Sequence, residues 1–421
     1  MSYDLCLDFP LPPSKKSAKR AIFTPYIEER VHEKDTVYRC GRLFVACGRL
    51  SSAFRKGNSD NELTVNGGKK EFLMLVGSYA EPTEEGIKLY RFNEENGQAT
   101  YVSGLSGISN PSFLVTSSDE KRIYAVSEEE DETSTAHAIR LEKEKMSWMN
   151  SRLTQGGAPC NITIDPSGEF VLTANYMGGS ITVFPLDKEG ALGEVSHVIR
   201  FTGNGPDSSR QEQSHLHSVL FTPDHSYLLA NDLGTDRLYL FPINQVTERG
   251  NGASLFNESK RVDIPLEPGS GPRHICFHPD KPFAYLINEL SGKVTAFSYA
   301  EGQMAITQYI EADTVGARGS ADIHVSPDGR FLYASNRLKA DGVAIFSIDS
   351  LNGSLTKVGY QLTGRHPRNF AISPNGKYLL VASRDDNVIQ IFRRDASTGL
   401  LKDTGKEIRT SRPVCLKFLR F

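Results

Sequence analysis

Residues 272–290 read PRHICFHPDKPFAYLINEL, in which an alternating apolar run, a turn containing proline and a second apolar run follow one another. Apolar residues that alternate with polar ones between turn residues are typical of β-strands. The phrase recurs every 47 to 57 residues along the chain. Its other copies lie at 159–176, 217–233, 321–337 and 367–386, with a weaker one at 111–129. Strand units repeated at about 40–50 residues indicate the blades of a β-propeller.

The two ends of the repeat region supply one further blade. FLMLVGSY (72–79) and IKLYRFN (87–93) resemble the second and third runs of a unit without its first run, and RPVCLKFLRF (412–421) resembles a first run alone. Pairing them would satisfy strands that otherwise remain at open edges. The sequence therefore predicts an all-β, seven-bladed β-propeller over residues 71–421, whose seventh blade is closed by strands from both chain ends.

The first 70 residues differ from the rest of the chain. They contain no copy of the phrase, and they hold a Pro-rich start and a cluster of basic residues. We predict an irregular N-terminal extension over residues 1–70, disordered or loosely attached. The apolar run LFVAC at 43–47 is shorter than the about 7–15 residues of a signal peptide, and no stretch approaches the roughly 18 apolar residues of a membrane span. These features predict a cytoplasmic protein that does not bind a membrane.

Composition narrows the classes of partner. The net charge is −3, and the chain has no long basic stripe of the kind that a dedicated nucleic-acid binder carries. The six cysteines form no CxxC pair and show no metal-ligand spacing, which indicates a reducing compartment. We expect a monomer or a weak dimer whose partner is a small molecule.

Histidines and arginines break the apolar alternation where the first strands of neighbouring units begin. His215 and His217 are separated by one residue, so they point to the same face of a strand. Arg273 occupies the corresponding place in the next unit, and Arg368 occupies it in HPRNF. An arginine near a propeller axis is costly unless it meets an anion. Two equivalent arginines favour an anion site, and structural ion pairs are the alternative for them. The histidines could instead satisfy carbonyls at the channel mouth, and His-x-His is only a weak metal signal.

A second set of polar residues ends the second strands. Glu289 follows Asn288, and the pairs taken as equivalent are Asn175–Tyr176, Asn231–Asp232, Asn336–Arg337 and Ser383–Arg384. The recurring asparagine is explained as a turn-capping residue, whereas the variable residue after it suggests a function. Asp322 and His324 alternate with apolar residues and share one strand face, where they either hold each other or face the channel.

These residues favour one kind of chemistry. They supply histidine, glutamate and arginine, without a serine in a nucleophile setting, a Cys/His pair or a Gly-rich phosphate loop. This set fits acid/base catalysis on an anionic substrate without a metal or another cofactor. Arginines would bind a carboxylate or phosphate and polarise a carbonyl, while glutamate or histidine would move a proton or activate water.

Three long phrases also resemble a known family. GPRHICFHPDKPFAYLINELSGKVTAF (271–297), SADIHVSPDGRFLYASNR (320–337) and HPRNFAISPNGKYLLVAS (366–383) are similar to the lactonase family of seven-bladed propellers. That family includes bacterial propeller-type 6-phosphogluconolactonases and the fungal carboxy-cis,cis-muconate cyclising enzyme. The resemblance runs from residue 72 to residue 421, and it leaves out the N-terminal extension.

The resemblance implies roles for individual residues. It places a catalytic group in a shallow pocket at the propeller face, with Glu289 or His217 as acid/base. Arg273 and Arg337 would hold the anionic group of the substrate, and no metal is implied. Further substrate contacts would come from His215, Asp322, His324 and Arg368.

The resemblance also implies an activity. It points to metal-independent hydrolysis of a sugar lactone, 6-phospho-D-glucono-1,5-lactone, to 6-phosphogluconate in the pentose phosphate pathway. Two alternatives stay open at this point. One is a carboxy-muconate cycloisomerase, which closes a lactone ring instead of opening it. The other is a non-catalytic propeller that binds a sugar acid or a protein partner.

Overall fold

The computed structural model describes residues 70–244 and 255–419, which form seven four-stranded antiparallel sheets. We number the sheets as blades I to VII. Blade I contains β28 (Pro413–Phe418), β1 (Glu71–Ser78), β2 (Ile87–Asn93) and β3 (Gln98–Leu105). Blade II contains β4 (Leu114–Thr116), β5 (Arg122–Ser127), β6 (Thr135–Glu142) and β7 (Lys145–Leu153). Blade III contains β8 (Pro159–Ile164), β9 (Phe170–Asn175), β10 (Ser180–Pro185) and β11 (His197–Arg200).

The remaining blades follow the same order. Blade IV contains β12 (Leu216–Phe221), β13 (Tyr227–Asp232), β14 (Arg237–Pro242) and β15 (Val262–Pro265). Blade V contains β16 (Pro272–Phe277), β17 (Phe283–Asn288), β18 (Lys293–Ala300) and β19 (Gln303–Glu311). Blade VI contains β20 (Ser320–Val325), β21 (Phe331–Asn336), β22 (Gly342–Ile348) and β23 (Leu355–Leu362). Blade VII contains β24 (Pro367–Ile372), β25 (Tyr378–Ser383), β26 (Val388–Arg394) and β27 (Leu401–Arg409).

The predicted blade count and ring closure are confirmed. Blade I is built from both ends of the repeat region, since β28 pairs with β1 in a register that sets Val76 opposite Leu416. The predicted N-terminal extension lies outside the described residues, except for residue 70, so its boundary stays a prediction. Within residues 70–244 and 255–419 the helical segments are two short 3₁₀ turns, Glu258–Lys260 and Arg384–Asp386, and no helix there could cross a membrane.

The turn between the first two strands of a blade is fixed by its own side chains. In blade III the Asp165 carboxylate accepts hydrogen bonds from the backbone N–H groups of Glu169 and Phe170, each at 2.7 Å. Gly168 adopts φ +73°, a left-handed conformation that favours glycine. This arrangement explains why the turns of the repeated phrase are rich in Asp, Pro and Gly.

The hydrophobic core lies in layers between neighbouring blades. In β1, Met74 and Val76 pack in a cluster with Leu380 of blade VII, whereas the intervening Leu75 packs in a cluster with Ile123 of blade II. Successive side chains of a strand point to opposite faces of the sheet, so both faces of each blade are covered. The apolar alternation of the sequence therefore becomes two apolar faces, and polar side chains concentrate at the strand ends.

Candidate active site

One backbone position recurs at the same end of every blade. The residue that follows the second strand donates its N–H to a carbonyl before the first strand, as Glu289 does to Gly271 at 2.7 Å and Arg337 to Gly319 at 3.1 Å. In blade II the acceptor is the Asn110 carbonyl, which lies several residues before β4 instead of next to it. We call these seven residues the rim positions. They are Tyr79, Glu128, Tyr176, Leu233, Glu289, Arg337 and Arg384. Side chains at the rim positions can therefore meet around the mouth of the central channel.

The sequence pattern predicts that Asp232 is equivalent to Glu289, and this equivalence is wrong. Strand pairing sets Asp232 opposite Leu216, just as it sets Asn288 opposite Pro272. Leu233, rather than Asp232, is therefore the rim residue of blade IV. The Asp232 carboxylate instead accepts hydrogen bonds from the Ser214 hydroxyl at 2.7 Å and the His215 N–H at 2.8 Å. Asp232 thus braces the entry to β12, which is a structural role.

A second layer of side chains comes from the starts of the innermost strands. His217, Arg273 and Arg368 each follow the first residue of β12, β16 and β24, and each lies at an irregularity in the strand register. Before β16, Gly271 adopts φ +63°, and a Cβ there would lie 2.5 Å from the Leu290 side chain. Glycine is therefore required where the chain turns to present Arg273.

Glu289 is the centre of the site. Its Oε2 accepts a hydrogen bond from Arg273 Nε at 2.8 Å and lies 3.2 Å from Arg337 Nη2. Its Oε1 accepts a hydrogen bond from Arg210 Nη2 at 2.7 Å. Three guanidinium groups thus converge on one carboxylate, and this cluster has more positive than negative charge. An excess of positive charge among buried groups favours binding of an anion.

The fourth predicted catalytic residue lies beside this carboxylate. His217 Nε2 is 3.8 Å from Glu289 Oε2, and its Nδ1 is 3.6 Å from Cys160 Sγ. The imidazole also meets the edge of the Tyr176 ring, with ring centroids 5.6 Å apart. The structure therefore brings His217, Glu289 and the arginines of blades V and VI into one cluster.

Burial and charge set the protonation states of this cluster. Burial alone would raise the pKa of the Glu289 carboxyl, but Arg337, Arg210 and Arg273 outweigh it and hold that pKa well below its usual range. Burial and, next, Arg273 lower the pKa of His217 well below 6.5, against the opposing effect of Glu289. Near neutral pH the site therefore contains a carboxylate beside a neutral imidazole.

The two buried arginines are held in place by the backbone. Arg273 Nη1 donates to the Ala321 carbonyl at 2.6 Å, and Arg337 Nε donates to the Gly319 carbonyl at 2.8 Å. Both bonds join a site residue to the start of blade VI. Because the guanidinium groups need little reorganisation, they are suited to stabilise charge that develops during a reaction.

The predicted shallow pocket is wrong in its depth. His217 is 2% exposed, and Arg273, Glu289 and Arg337 are each 1% exposed, so the cluster lies below the surface of the propeller face. Part of this cover comes from Arg210, in the segment between β11 and β12, because Arg210 contacts Glu289 and its side chain is 17% exposed. This segment lies outside the repeated phrases, so the sequence pattern does not indicate that it contacts the cluster.

A second charged group lies on the other side of the channel mouth. Glu128 Oε1 accepts a hydrogen bond from the Tyr79 hydroxyl at 3.0 Å and lies 3.4 Å from Arg368 Nη2. Within the described residues, the buried atoms Glu128 Oε2 and Ser112 Oγ have no hydrogen-bond partner. A cavity of about 220 Å³, counting the open space at its mouth, is lined by Ser112, Arg368 and Arg273 among others. Buried polar atoms without a protein partner call for water or a ligand.

The remaining predicted contacts surround the cluster. The His215 ring stacks on Tyr176 with centroids 4.3 Å apart. Asp322 lies 2.9 Å from both His274 Nδ1 and His324 Nε2, and His274 in turn lies 3.3 Å from Arg273. Asp322 and His324 thus hold each other, one of the two arrangements expected from their spacing, and their role as substrate contacts stays a prediction.

Sequence reasoning missed two residues of the site. Arg210 contacts Glu289 from a loop, and His366 lies 3.2 Å from both Arg337 Nη1 and Arg384 Nη2. His366 could have been found, because it precedes Pro367 in HPRNF just as Gly271 precedes Pro272. Across residues 70–244 and 255–419, no group of three or more His, Cys, Asp or Glu side chains is arranged to hold a metal ion.

The buried histidines predict acid-sensitive stability. Burial lowers the pKa of His137 to about 4, and burial and Arg273 lower that of His274 to about 4. A histidine in the unfolded chain has a pKa of about 6.5. Between this pH and about 4, the unfolded chain therefore binds more protons than the folded chain, and stability falls as the pH is lowered. We expect a melting temperature that is constant above about pH 7 and declines progressively below about pH 6.5. Thermal unfolding monitored by circular dichroism checks this.

A matched pair of variants separates this cause from general acid denaturation. His137→Gln should make the decline of melting temperature with pH shallower, because this variant removes one buried titrating group outside the site. His225→Gln, at an exposed turn, should leave the slope unchanged. Equal slopes for both variants and the parent protein would contradict the explanation.

Comparisons with known proteins identify the family. The family described as Lactonase, 7-bladed beta-propeller matches residues 73–418. A 6-phosphogluconolactonase of Formosa agariphila is 38% identical over 343 residues, which cover 80% of this chain and 96% of that protein. A solved Bacteroides fragilis structure, described as a candidate 6-phosphogluconolactonase, is 52% identical with a TM-score of 0.80, covering 83% and 98% of the two chains.

A third relative has a different name. The solved periplasmic gluconolactonase of Pseudomonas aeruginosa is 30% identical with a TM-score of 0.76, and the match covers 83% of this chain and 99% of that one. The family match spans well over half of the present chain and includes both layers of the site. This chain therefore belongs to the seven-bladed β-propeller lactonase family, a family of lactone-hydrolysing enzymes.

Proposed function

We propose that this protein hydrolyses 6-phospho-D-glucono-1,5-lactone to 6-phosphogluconate without a metal ion. The observation that carries the proposal is the ionised Glu289, held between three arginines beside the neutral His217. The names of the bacterial relatives support the choice of a phosphorylated sugar lactone.

The charges of the site favour an anionic substrate. Guanidinium groups bind phosphate and carboxylate through paired hydrogen bonds, and three of them surround Glu289. On the opposite side of the mouth, Glu128 Oε2 can accept a hydrogen bond from a substrate hydroxyl. A polyhydroxylated lactone with a phosphate offers both kinds of group.

The same residues supply the steps of hydrolysis. Glu289 or His217 takes a proton from water while the water oxygen attacks the lactone carbonyl carbon. Arg273 lies where it can stabilise the resulting oxyanion, and its hydrogen bond to the Ala321 carbonyl fixes its position. The tetrahedral intermediate then collapses, the bond from the carbonyl carbon to the ring oxygen breaks, and the abstracted proton passes to that oxygen.

A direct assay tests the proposal. Freshly generated phosphogluconolactone is incubated with the purified protein near pH 6.5, and formation of 6-phosphogluconate is followed after subtraction of the spontaneous rate. We expect a rate well above the spontaneous one that is unchanged by a chelator. Activity on a carboxymuconate with none on any lactone would reassign the site to cyclisation. Binding of sugar acids without turnover would reassign it to a binding module.

We also propose a pathway and a cellular location. Hydrolysis of this lactone would place the protein in the oxidative pentose phosphate pathway, and a cytoplasmic location remains our prediction. Fractionation of cells, with immunodetection of the protein in each fraction, tests the location. Recovery of the protein outside the cytoplasm would contradict it.

A further inference from the structure

Arg210 differs from the other two arginines on Glu289 in its exposure and in its place in the fold. It lies in the segment between β11 and β12, outside the repeated phrases. Its side chain is 17% exposed, whereas the Arg273 and Arg337 side chains are 2% and 1% exposed. It binds Glu289 Oε1, whereas Arg273 and Arg337 contact Oε2. Arg210 therefore lies between the buried carboxylate and solvent.

The segment that carries Arg210 is anchored to two blades through the residue that follows Arg210. The next residue, Gln211, is fully buried, and its Nε2 donates to the Leu233 carbonyl at 2.8 Å and to Asp236 Oδ1 at 2.7 Å. Asp236 Oδ1 also accepts the Gly271 N–H at 2.7 Å, just before β16. The backbone at Arg210 is thus tied to blades IV and V, and rotation of the side chain alone can change its partner.

We propose that Arg210 receives the phosphate of the substrate and exchanges the Glu289 carboxylate for it. This inference rests on the proposed function and names the residue that selects a phosphorylated lactone over an unphosphorylated one. A phosphate accepts paired hydrogen bonds from a guanidinium, and it carries more charge than the single carboxylate that it replaces. Arg273 and Arg337 stay at Glu289 because backbone carbonyls hold them.

The exchange has a consequence for catalysis. Arg210 is one of the three groups that lower the pKa of Glu289. When Arg210 turns to the phosphate, that pKa rises, and Glu289 becomes a stronger base. A phosphorylated substrate would therefore gain both in binding and in rate, whereas an unphosphorylated lactone would meet a carboxylate that is still held by Arg210.

Two variants and two substrates test the proposal. We expect Arg210→Ala to lower kcat/KM for phosphogluconolactone by at least about tenfold. The value for unphosphorylated gluconolactone should not fall, because the loss of Arg210 also makes Glu289 a stronger base. Arg210→Lys should recover part of the loss, because an ammonium still attracts phosphate. Arg200→Ala, on the exposed end of β11, is the matched control and should leave both values unchanged.

The outcomes separate this inference from the proposed function. An equal loss on both substrates, or no loss on either, would overturn the role of Arg210 while lactone hydrolysis by the parent protein stands. Calorimetry with 6-phosphogluconate gives a readout that needs no turnover. We expect the parent protein to bind it at least about tenfold more tightly than Arg210→Ala does, and equal affinities would overturn the proposal even if no lactone were hydrolysed.

Discussion

Glu289→Gln is expected to lower kcat for lactone hydrolysis by about a thousandfold. Glutamine has nearly the same shape but cannot take a proton from water. It also removes the negative charge that gathers Arg210, Arg273 and Arg337 at one point. The reacting groups would then lose their base and part of their alignment together. Steady-state kinetics with phosphogluconolactone, corrected for spontaneous hydrolysis, measure the effect.

A matched control comes from the same rim position on another blade. Glu128 also accepts hydrogen bonds from a tyrosine and an arginine, but Glu289 alone of the two lies beside His217. Glu128→Gln should therefore raise KM by about tenfold or less, with kcat nearly unchanged, since it weakens a contact to substrate rather than proton transfer. If Glu289→Gln keeps kcat within tenfold of the parent protein, or if the two variants behave alike, Glu289 is not the base.

Folding must be checked in the same variants. Removing one member of a buried ion cluster leaves the others without their counter-charge, which typically costs about 3–5 kcal/mol. Melting temperatures of both variants therefore accompany the kinetics, and the assay is run well below the lower of them. A loss of activity in a variant that unfolds in the same temperature range as the assay would say nothing about catalysis. Retained structure with lost turnover is the expected combination.

Much of the fold could be predicted because its determinants are local. Each blade depends on alternation within a few residues and on a turn whose hydrogen bonds stay inside the phrase, as at Asp165. The positions of some site residues are likewise determined by the repeated phrase. Arg273 lies on β16 and Glu289 directly follows β17, its neighbour in blade V, sixteen residues later in the sequence. His217 and Arg337 occupy repeated positions on the two adjoining blades. Repetition of the phrase was enough to bring them together.

The rest depends on contacts that no repeat specifies. Arg210 reaches Glu289 from a loop whose position is set by the hydrogen bond between Gln211 and Asp236. This contact joins residues that are distant in the sequence, so no local pattern indicates it. The predicted rim residue of blade IV, Asp232, was wrong by one position. Strand pairing places Asp232 at the end of β13, where its carboxylate binds Ser214 and His215. The burial of the cluster likewise depends on how that loop covers the mouth. Sequence patterns predict positions on strands better than they predict what lies over them.

Removal of residues 413–421 is expected to prevent stable folding. These residues contain β28, the innermost strand of blade I, which pairs with β1 from Met74 to Ser78. Val414, Cys415 and Leu416 are at most 5% exposed, and a buried aliphatic side chain of this size contributes about 2 kcal/mol. The total stability of a domain is about 5–15 kcal/mol. Loss of the strand would also leave β1 with an open edge on the channel side.

Two milder changes make the test graded. Leu416→Ala should cost about 2–5 kcal/mol of unfolding free energy, because it leaves a cavity between blades VII and I. Lys417→Ala, the exposed neighbour on the same strand, should cost less than about 0.5 kcal/mol. Urea unfolding monitored by fluorescence and circular dichroism gives both values.

Rescue in trans distinguishes closure of the ring from a general loss of core. A peptide of residues 411–421 added to the truncated chain during refolding should restore a cooperative transition, with a midpoint that rises with peptide concentration. It should restore lactone hydrolysis at the same time, because Val414 lines the cavity beside Arg273 and Arg368. A truncated chain that unfolds cooperatively at the parent midpoint without the peptide would show that six blades hold the ring, and that the two chain ends need not meet.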